Sequence, residues 1–184
     1  MLKTLPSGAR WQRAQLPLLI EALTGVPSLA VPPSDEDLAE WVEAASGHCQ
    51  MESEPARASV KDVETALEEA APALLVLPDG GFAGLLRVRR GVAHLITGNS
   101  GIQRVPLICL RDIVCAPVEA RYASETDSIL AECRADIPSF ERARRALLRE
   151  RAASSSVFLG WQMRVLPGSS FLKFFSRLTR ATCR

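Results

Sequence analysis

Few residues in this sequence could act as nucleophiles or bases. Its 184 residues include five Cys and only two His. A cysteine becomes a nucleophile when a base lies within hydrogen-bond distance, so Cys49 or Cys115 together with His94 would make a cysteine hydrolase. His48 precedes Cys49, but adjacent residues of a loop seldom turn their side chains toward each other. The competing interpretation makes Cys49 an incidental loop thiol, Cys115 a small core residue and His94 a hydrogen-bonded sheet residue.

Motifs for metals and nucleotides are missing from the sequence. It contains no CxxC, no HExxH and no paired Cys/His spacing, so we predict no metal site. Gly80, Gly81 and Gly84 mark a turn that enters a strand, whereas a dinucleotide or phosphate loop leads into a helix. We therefore predict that the protein uses no cofactor.

The composition is that of an ordinary globular protein. The 22 Lys and Arg nearly balance 21 Asp and Glu, and a net charge of +1 argues against a generally cationic nucleic-acid binder. No apolar run approaches the roughly 20 residues that span a bilayer, and the N-terminal sequence lacks a secretory signal. An odd number of scattered Cys does not suggest a disulfide framework, so we expect a cytoplasmic protein.

The charges are unevenly distributed along the chain. Segment 34–71 holds eleven acidic residues against two basic ones, and segment 138–184 holds ten basic residues against two acidic ones. An acidic first half would suit a basic segment of a bound peptide. The basic segment ends in an amphipathic helix that could contact a partner protein, a second copy of the chain or, weakly, a membrane surface. We expect this contact surface to comprise Phe171, Phe174, Phe175 and Arg177.

Hydrophobic periodicity predicts helices first and strands later. The first helix is expected over 10–24, with an apolar stripe formed by Trp11, Ala14, Leu18 and Ala22. Ser34 and Ser59 each precede an Asp by three positions, a capping pattern that predicts the start of a second and a third helix. The polar segment 48–58 between these two helices is predicted to be a loop.

Short apolar runs separated by Gly-containing turns then predict an antiparallel meander. Its four strands are expected at 73–77, Phe82–Arg89, 92–97 and 102–105. The remaining elements are predicted as a helix at 107–114, a strand at 117–122, helices at 125–135 and 139–153, and an extended segment at 157–166. Helices followed by a meander predict the α+β class.

This order of elements resembles the papain-like cysteine-peptidase domain at the N-terminus of bacterial ABC transporters that cleave and export peptides. In that family a Gln and a Cys-Gly pair open the first helix, a His follows a turn, and an Asp ends the next strand. Here the matching segments are 11–17, 78–82 and 95–99. Gln12 stands for the family's Gln, Leu16 or a neighbour replaces the Cys, Gly81 replaces the His, and the third segment has no Asp.

The resemblance implies an inactive peptidase. It implies a papain-like half-barrel, with a peptidase-like α+β domain over 8–122 and a helical tail over 123–184. Segment 160–171 is similar to the linker and elbow helix that precede the first membrane span of such transporters. The chain is therefore expected to be either a piece of a transporter or a stand-alone derivative of one.

Loss of the catalytic groups removes cleavage but need not remove binding, because different groups serve the two tasks. The resemblance thus implies a non-catalytic protein that holds a precursor or leader peptide while a ribosomally made peptide is modified or exported. A modifying enzyme or a transporter would be a further partner. Small precursor-binding proteins of crocagin-type pathways are similar stand-alone proteins. We expect the groove around Gln12, Leu16, Gly81, Phe82 and His94. A cysteine hydrolase and a structural or membrane-anchoring module are the alternatives.

Overall fold

The computed structural model describes residues 4–27, 38–132 and 140–165, which form six α-helices and six β-strands. The helices are α1 (Leu16–Thr24), α2 (Leu38–His48), α3 (Val63–Ala70), α4 (Leu107–Ala120), α5 (Ala123–Glu132) and α6 (Phe140–Ala152). The strands are β1 (Met51–Ser59), β2 (Ala73–Val76), β3 (Phe82–Arg89), β4 (Val92–Ile96), β5 (Ile102–Pro106) and β6 (Ser156–Val165).

All six strands belong to one antiparallel sheet with the order β1-β6-β2-β3-β4-β5. The α+β class and the meander from β2 to β5 are therefore confirmed. Gly80 and Gly91 occupy two of its turns at φ values of 78° and 71°, where a side chain would be strained. The half-barrel expected from the resemblance stays a prediction.

Helices cover both faces of the sheet. Because strand side chains alternate between the faces, the neighbours Leu74 and Leu75 belong to two different hydrophobic cores. One core packs α1 and α2 against the sheet, and the other packs α3 and α4 against the opposite face. Helices α5 and α6 pack against α4. We call the two sides the α1/α2 face and the α3/α4 face.

The loop predicted over 48–58 is wrong. His48 ends α2, and β1 begins at Met51 and pairs with β6 over its whole length. Strand β1 lies at one end of the sheet, where a proline such as Pro55 is tolerated because its missing N–H faces no partner strand. Its polar residues suit a strand exposed along one edge.

The helical tail predicted over 123–184 is wrong at 156–165. The extended segment predicted there is β6, and it lies between β1 and β2 as an inner strand of the sheet. Gly160 allows this close packing: a Cβ at this position would lie 2.0 Å from the carbonyl oxygen of Leu74. Its φ of 134° also lies in the region that favours glycine.

Two helix boundaries differ from those predicted. The strand predicted at 117–122 is wrong, because α4 continues through Pro117 to Ala120 and buries Leu110, Val114 and Val118 along one side. Helix α1 begins at Leu16 rather than at 10, with Pro17 in its first turn, where a missing N–H costs little.

Several predicted features lie outside the described residues. These are the Ser34 cap and the terminal surface of Phe171, Phe174, Phe175 and Arg177. Among the residues that the structure describes, no helix is both long enough and apolar enough to cross a membrane.

Candidate functional site

The three segments that carry the resemblance meet in space. Trp11 and Phe82 exchange two backbone hydrogen bonds, each with an N–O distance of 2.9 Å. The indole Nε1 of Trp11 also donates to the carbonyl oxygen of Ile96 at 3.0 Å. The N–H of Gly98 donates to the carbonyl oxygen of Gly8 at 3.1 Å. The approach to α1, the start of β3 and the end of β4 are thereby held together.

An ion pair occupies the place where the family has its His. Arg10 Nε lies 3.1 Å from Asp79 Oδ2, and the other carboxylate oxygen of Asp79 accepts the N–H of Gly81 at 3.0 Å. A Cβ at position 81 would come within 2.7 Å of Arg10 Nε. A histidine at this position would therefore displace the arginine.

The residues expected to form the groove do not all face one. Leu16 and Phe82 are 0% and 3% exposed and lie in the core between α1 and the sheet, so the expectation that they contact a ligand is wrong. Gln12 is exposed, and its backbone N–H donates to Gln15 Oε1 at 2.8 Å. His94 is buried on β4.

A groove does lie beside this meeting point, between α1 and the β4–β5 end of the sheet. Its first half has a volume of about 530 Å³ and exposes polar and apolar surface in nearly equal parts. We call it the polar half because residues including Arg10, Gln15, Thr97, Asn99 and Gln103 line it. The turn between β4 and β5 forms one wall. In this turn Thr97 Oγ1 donates to Asn99 Oδ1 at 2.6 Å, and the N–H of Thr97 donates to the carbonyl oxygen of Gly101 at 3.0 Å.

The second half of the groove is mainly apolar and has a volume of about 420 Å³. It shares Trp11, Gly98, Gly101 and Ile102 with the polar half, so the two halves adjoin each other. The helix wall is a row of residues at helical spacing: Leu18, Glu21, Ala22 and Gly25. This row extends over about 10 Å. The sheet wall consists of Leu86, Ile96 and Ile102.

Leu18 is predicted from the sequence to lie in the apolar stripe of α1, but it lines this groove. It is 58% exposed, whereas Leu16, Leu19, Ile20 and Leu23 form the buried side of α1. Of the predicted stripe, Leu18 therefore borders the groove rather than the core, whereas Trp11 belongs to the core. Helix α1 is apolar on both sides, so periodicity alone does not tell which side is buried.

The structure does not bring either thiol to His94. Cys49 is buried, accepts a hydrogen bond from Thr24 Oγ1 at 3.5 Å, and precedes β1, which three strands separate from β4. Cys115 belongs to the α3/α4 core, whereas His94 alternates with Ala93 and Leu95 and so points to the opposite face. Burial raises the pKa of the Cys115 thiol to about 11, so it is protonated at neutral pH.

Two further predictions concern the exposure of Cys49 and the metal site. Cys49 is not the exposed loop thiol expected, because it is 1% exposed while His48 beside it is exposed. Within 4–27, 38–132 and 140–165, no group of three or more His, Cys, Asp or Glu side chains is placed to hold a metal ion.

His94 lacks the full hydrogen bonding expected of a sheet residue. It is 7% exposed, and its Nδ1 has no hydrogen-bond partner. Burial lowers the pKa of His94 below its ordinary value, and the positive charges of Arg87 and Arg104 lower it further. The ring is therefore neutral at pH 7 and is flanked by two arginines.

A larger depression of about 730 Å³ lies among α4, α5 and α6, but its charges already pair with one another. Arg111 contacts Asp112 at 3.0 Å and Glu119 at 2.5 Å, and Arg149 contacts Asp112 at 2.9 Å. This network links α6 to α4 and leaves little net charge for a ligand. The groove beside α1 is therefore the candidate site.

Comparisons of the chain with protein-family models, with curated proteins and with solved structures give no match. The peptidase resemblance thus rests on the order of the elements and on the three segments that meet at Trp11, and it stays a prediction.

Proposed function

We propose that this protein binds a peptide in the groove between α1 and the sheet and does not cleave it. The peptide would be a precursor or leader that is held during maturation or export of a ribosomally made peptide. The observation that carries this proposal is the groove of two adjoining halves, the apolar half beside the exposed Leu18 and the polar half on the other side of Trp11. A cytoplasmic location and a modifying enzyme or transporter as further partner belong to the same proposal.

The groove offers the two kinds of contact that bind peptides. Burying one large apolar side chain contributes about 1.5–3 kcal/mol, and a dissociation constant of 1 mM corresponds to about 4 kcal/mol. One or two apolar anchors in the groove therefore supply much of a micromolar to millimolar affinity. Strand β5 ends the sheet, and no described strand pairs with its outer edge. A peptide in extended conformation could add its backbone hydrogen bonds there.

The residues at the meeting point support binding without cleavage. Amide hydrolysis by a cysteine peptidase needs a nucleophile and a base within hydrogen-bond distance of each other. Leu16 and Gly81 stand at the two positions where the resembled family has these groups, and neither can act as one. Gln15, Thr97 and Asn99 line the polar half and can hydrogen-bond a peptide backbone.

The test is calorimetric titration of the purified protein with the precursor peptide encoded beside its gene. We expect saturable binding with a dissociation constant below 1 mM, no binding of a scrambled peptide of equal composition, and an intact precursor by mass spectrometry afterwards. Absence of binding at 1 mM would overturn the peptide-carrier proposal, and cleavage of the precursor would overturn its non-catalytic part.

A further inference from the structure

A row of basic side chains lies two positions along β4 and β5 from the sheet wall of the apolar half. Arg87 on β3, His94 on β4 and Arg104 on β5 are direct cross-strand neighbours. His94 and Arg104 lie two positions from Ile96 and Ile102 on their strands, so all four point to the α1/α2 face. We call Arg87, His94 and Arg104 the basic strip.

The electrostatics of the strip favour an incoming negative charge. The guanidinium groups of Arg87 and Arg104 both act on the buried ring of His94, and both disfavour its protonation. Arg104 is exposed and forms no side-chain ion pair with any described residue. Nδ1 of His94 has no hydrogen-bond partner although the residue is more than nine-tenths buried. Arg87 already interacts within the protein, so the charge left to pair is that of Arg104, and a carboxylate beside Arg104 would offset the repulsion.

The spacing between the strip and the groove matches the repeat of an extended peptide. Along a strand, residues two positions apart are separated by about 7 Å, and this distance separates Ile96 from His94 and Ile102 from Arg104. An extended ligand that lies on the same face has the same repeat. If one of its side chains enters the apolar half, the side chain two positions away reaches the strip.

We propose that the bound peptide is an acidic segment, with an apolar side chain in the groove beside Leu18 and a carboxylate two residues away against Arg104. This inference rests on the proposed function and names the ligand class of the same groove. Glu21 lies on the helix wall, so a carboxylate placed against α1 would be repelled. The acidic side chain is therefore directed to the strip. An acidic peptide is thus proposed in place of the basic peptide that the acidic first half of the chain suggests.

The inference is tested by NMR titration of the ¹⁵N-labelled protein with four synthetic 12-residue peptides. Each has one Leu-x-Glu, Leu-x-Gln, Leu-x-Lys or Ala-x-Glu unit in a common Gly/Ser background, and the precursor peptide is titrated in parallel. We expect Leu-x-Glu to bind at least tenfold more tightly than Leu-x-Lys and more tightly than the other two. Amide shifts should include positions 94, 102 and 104.

Charge reversal provides the matched control. Arg104→Glu should invert the preference between Leu-x-Glu and Leu-x-Lys. Arg121→Glu makes an equal charge change at an exposed residue that follows α4, on the other side of the sheet, and it should leave the preference unchanged.

Three outcomes would overturn the inference. The first is that the precursor binds while Leu-x-Glu and Leu-x-Lys bind equally or no 12-residue peptide binds. In that case the proposed function stands and only this inference fails. The second is tighter binding of a 12-nucleotide single strand at the strip, which would assign it to nucleic acid. The third is the absence of binding by both the precursor and the peptides, which removes the proposed function as well.

Discussion

The indole Nε1 of Trp11 donates a hydrogen bond of 3.0 Å to the carbonyl oxygen of Ile96, 85 positions away in the sequence. Trp11 also pairs its backbone with Phe82 at the start of β3. These bonds fix the approach to α1 against the middle of the sheet. Trp11, 4% exposed, lines both halves of the groove, and its position therefore determines the shape of the proposed peptide site.

Trp11→Phe removes the indole donor and leaves the buried carbonyl of Ile96 without this partner. We expect the free energy of unfolding to fall by about 1–3 kcal/mol in urea denaturation, with weaker precursor binding. Trp41→Phe is the matched control, because Nε1 of Trp41 is buried and has no hydrogen-bond partner to lose. If both variants lose equal stability, the Trp11–Ile96 bond does not stabilise the site.

Leu18→Asn tests the apolar half of the groove directly. Leu18 is 58% exposed, so the substitution should change the free energy of unfolding by less than about 0.5 kcal/mol. Precursor affinity should fall about tenfold or more, because burial of this side chain by a ligand contributes about 1.5 kcal/mol or more. Phe140→Asn alters a second large exposed apolar residue, on α6 and away from the groove, and should leave affinity unchanged. Equal losses in both variants, measured by calorimetry, would argue against a specific role for Leu18.

Gly160→Ala tests the insertion of β6 into the sheet. The new Cβ would lie 2.0 Å from the carbonyl oxygen of Leu74, on a backbone with a φ of 134°. We expect a loss of at least about 3 kcal/mol in the free energy of unfolding. Gly47→Ala is the control: it lies in α2 with no atom within 4 Å of the new Cβ and should stabilise by about 0.5–1 kcal/mol. A well-folded Gly160→Ala protein of normal stability would contradict the central position of β6.

Cys115 gives the protein a specific sensitivity to alkali. Burial raises the pKa of its thiol to about 11 in the folded state, against an ordinary value of 9.0. Between these values the unfolded chain loses the thiol proton and the folded chain keeps it, so stability falls as pH rises, by up to about 1.4 kcal/mol per pH unit. In Cys115→Ala, the free energy of unfolding from denaturation curves should fall less steeply with pH between pH 9 and 11. An unchanged slope would show that the thiol is not shielded.

The sequence predicts those parts of the fold that local signals determine. The meander from β2 to β5 follows from short apolar runs and from turns in which Gly80 and Gly91 take positive φ. Strand β1 is different, because Met51–Ser59 is polar and contains Pro55, and only its pairing with β6 makes it a strand. That partner lies about a hundred positions away, beyond the reach of any local pattern.

The sequence indicates a region for the candidate site but not the side chains that line it. The resemblance points to the approach to α1, where the groove also lies, yet Leu16 and Phe82 turn inward, and the groove is lined by Leu18, Ile96 and Ile102 instead. Which side of an apolar helix faces the core depends on the neighbouring sheet, and cross-strand neighbours such as His94 and Arg104 depend on register. Neither property is encoded in local periodicity.

Binding of a peptide between α1 and the β4–β5 end of the sheet is tested most directly by backbone amide shifts. They are mapped in the ¹⁵N-labelled protein as the precursor peptide is added. We expect saturable shifts concentrated at 18–24 in α1, at Leu86 and across 96–104. Shifts confined to α4, α5 and α6 would contradict it, as would the absence of any shift at 1 mM peptide.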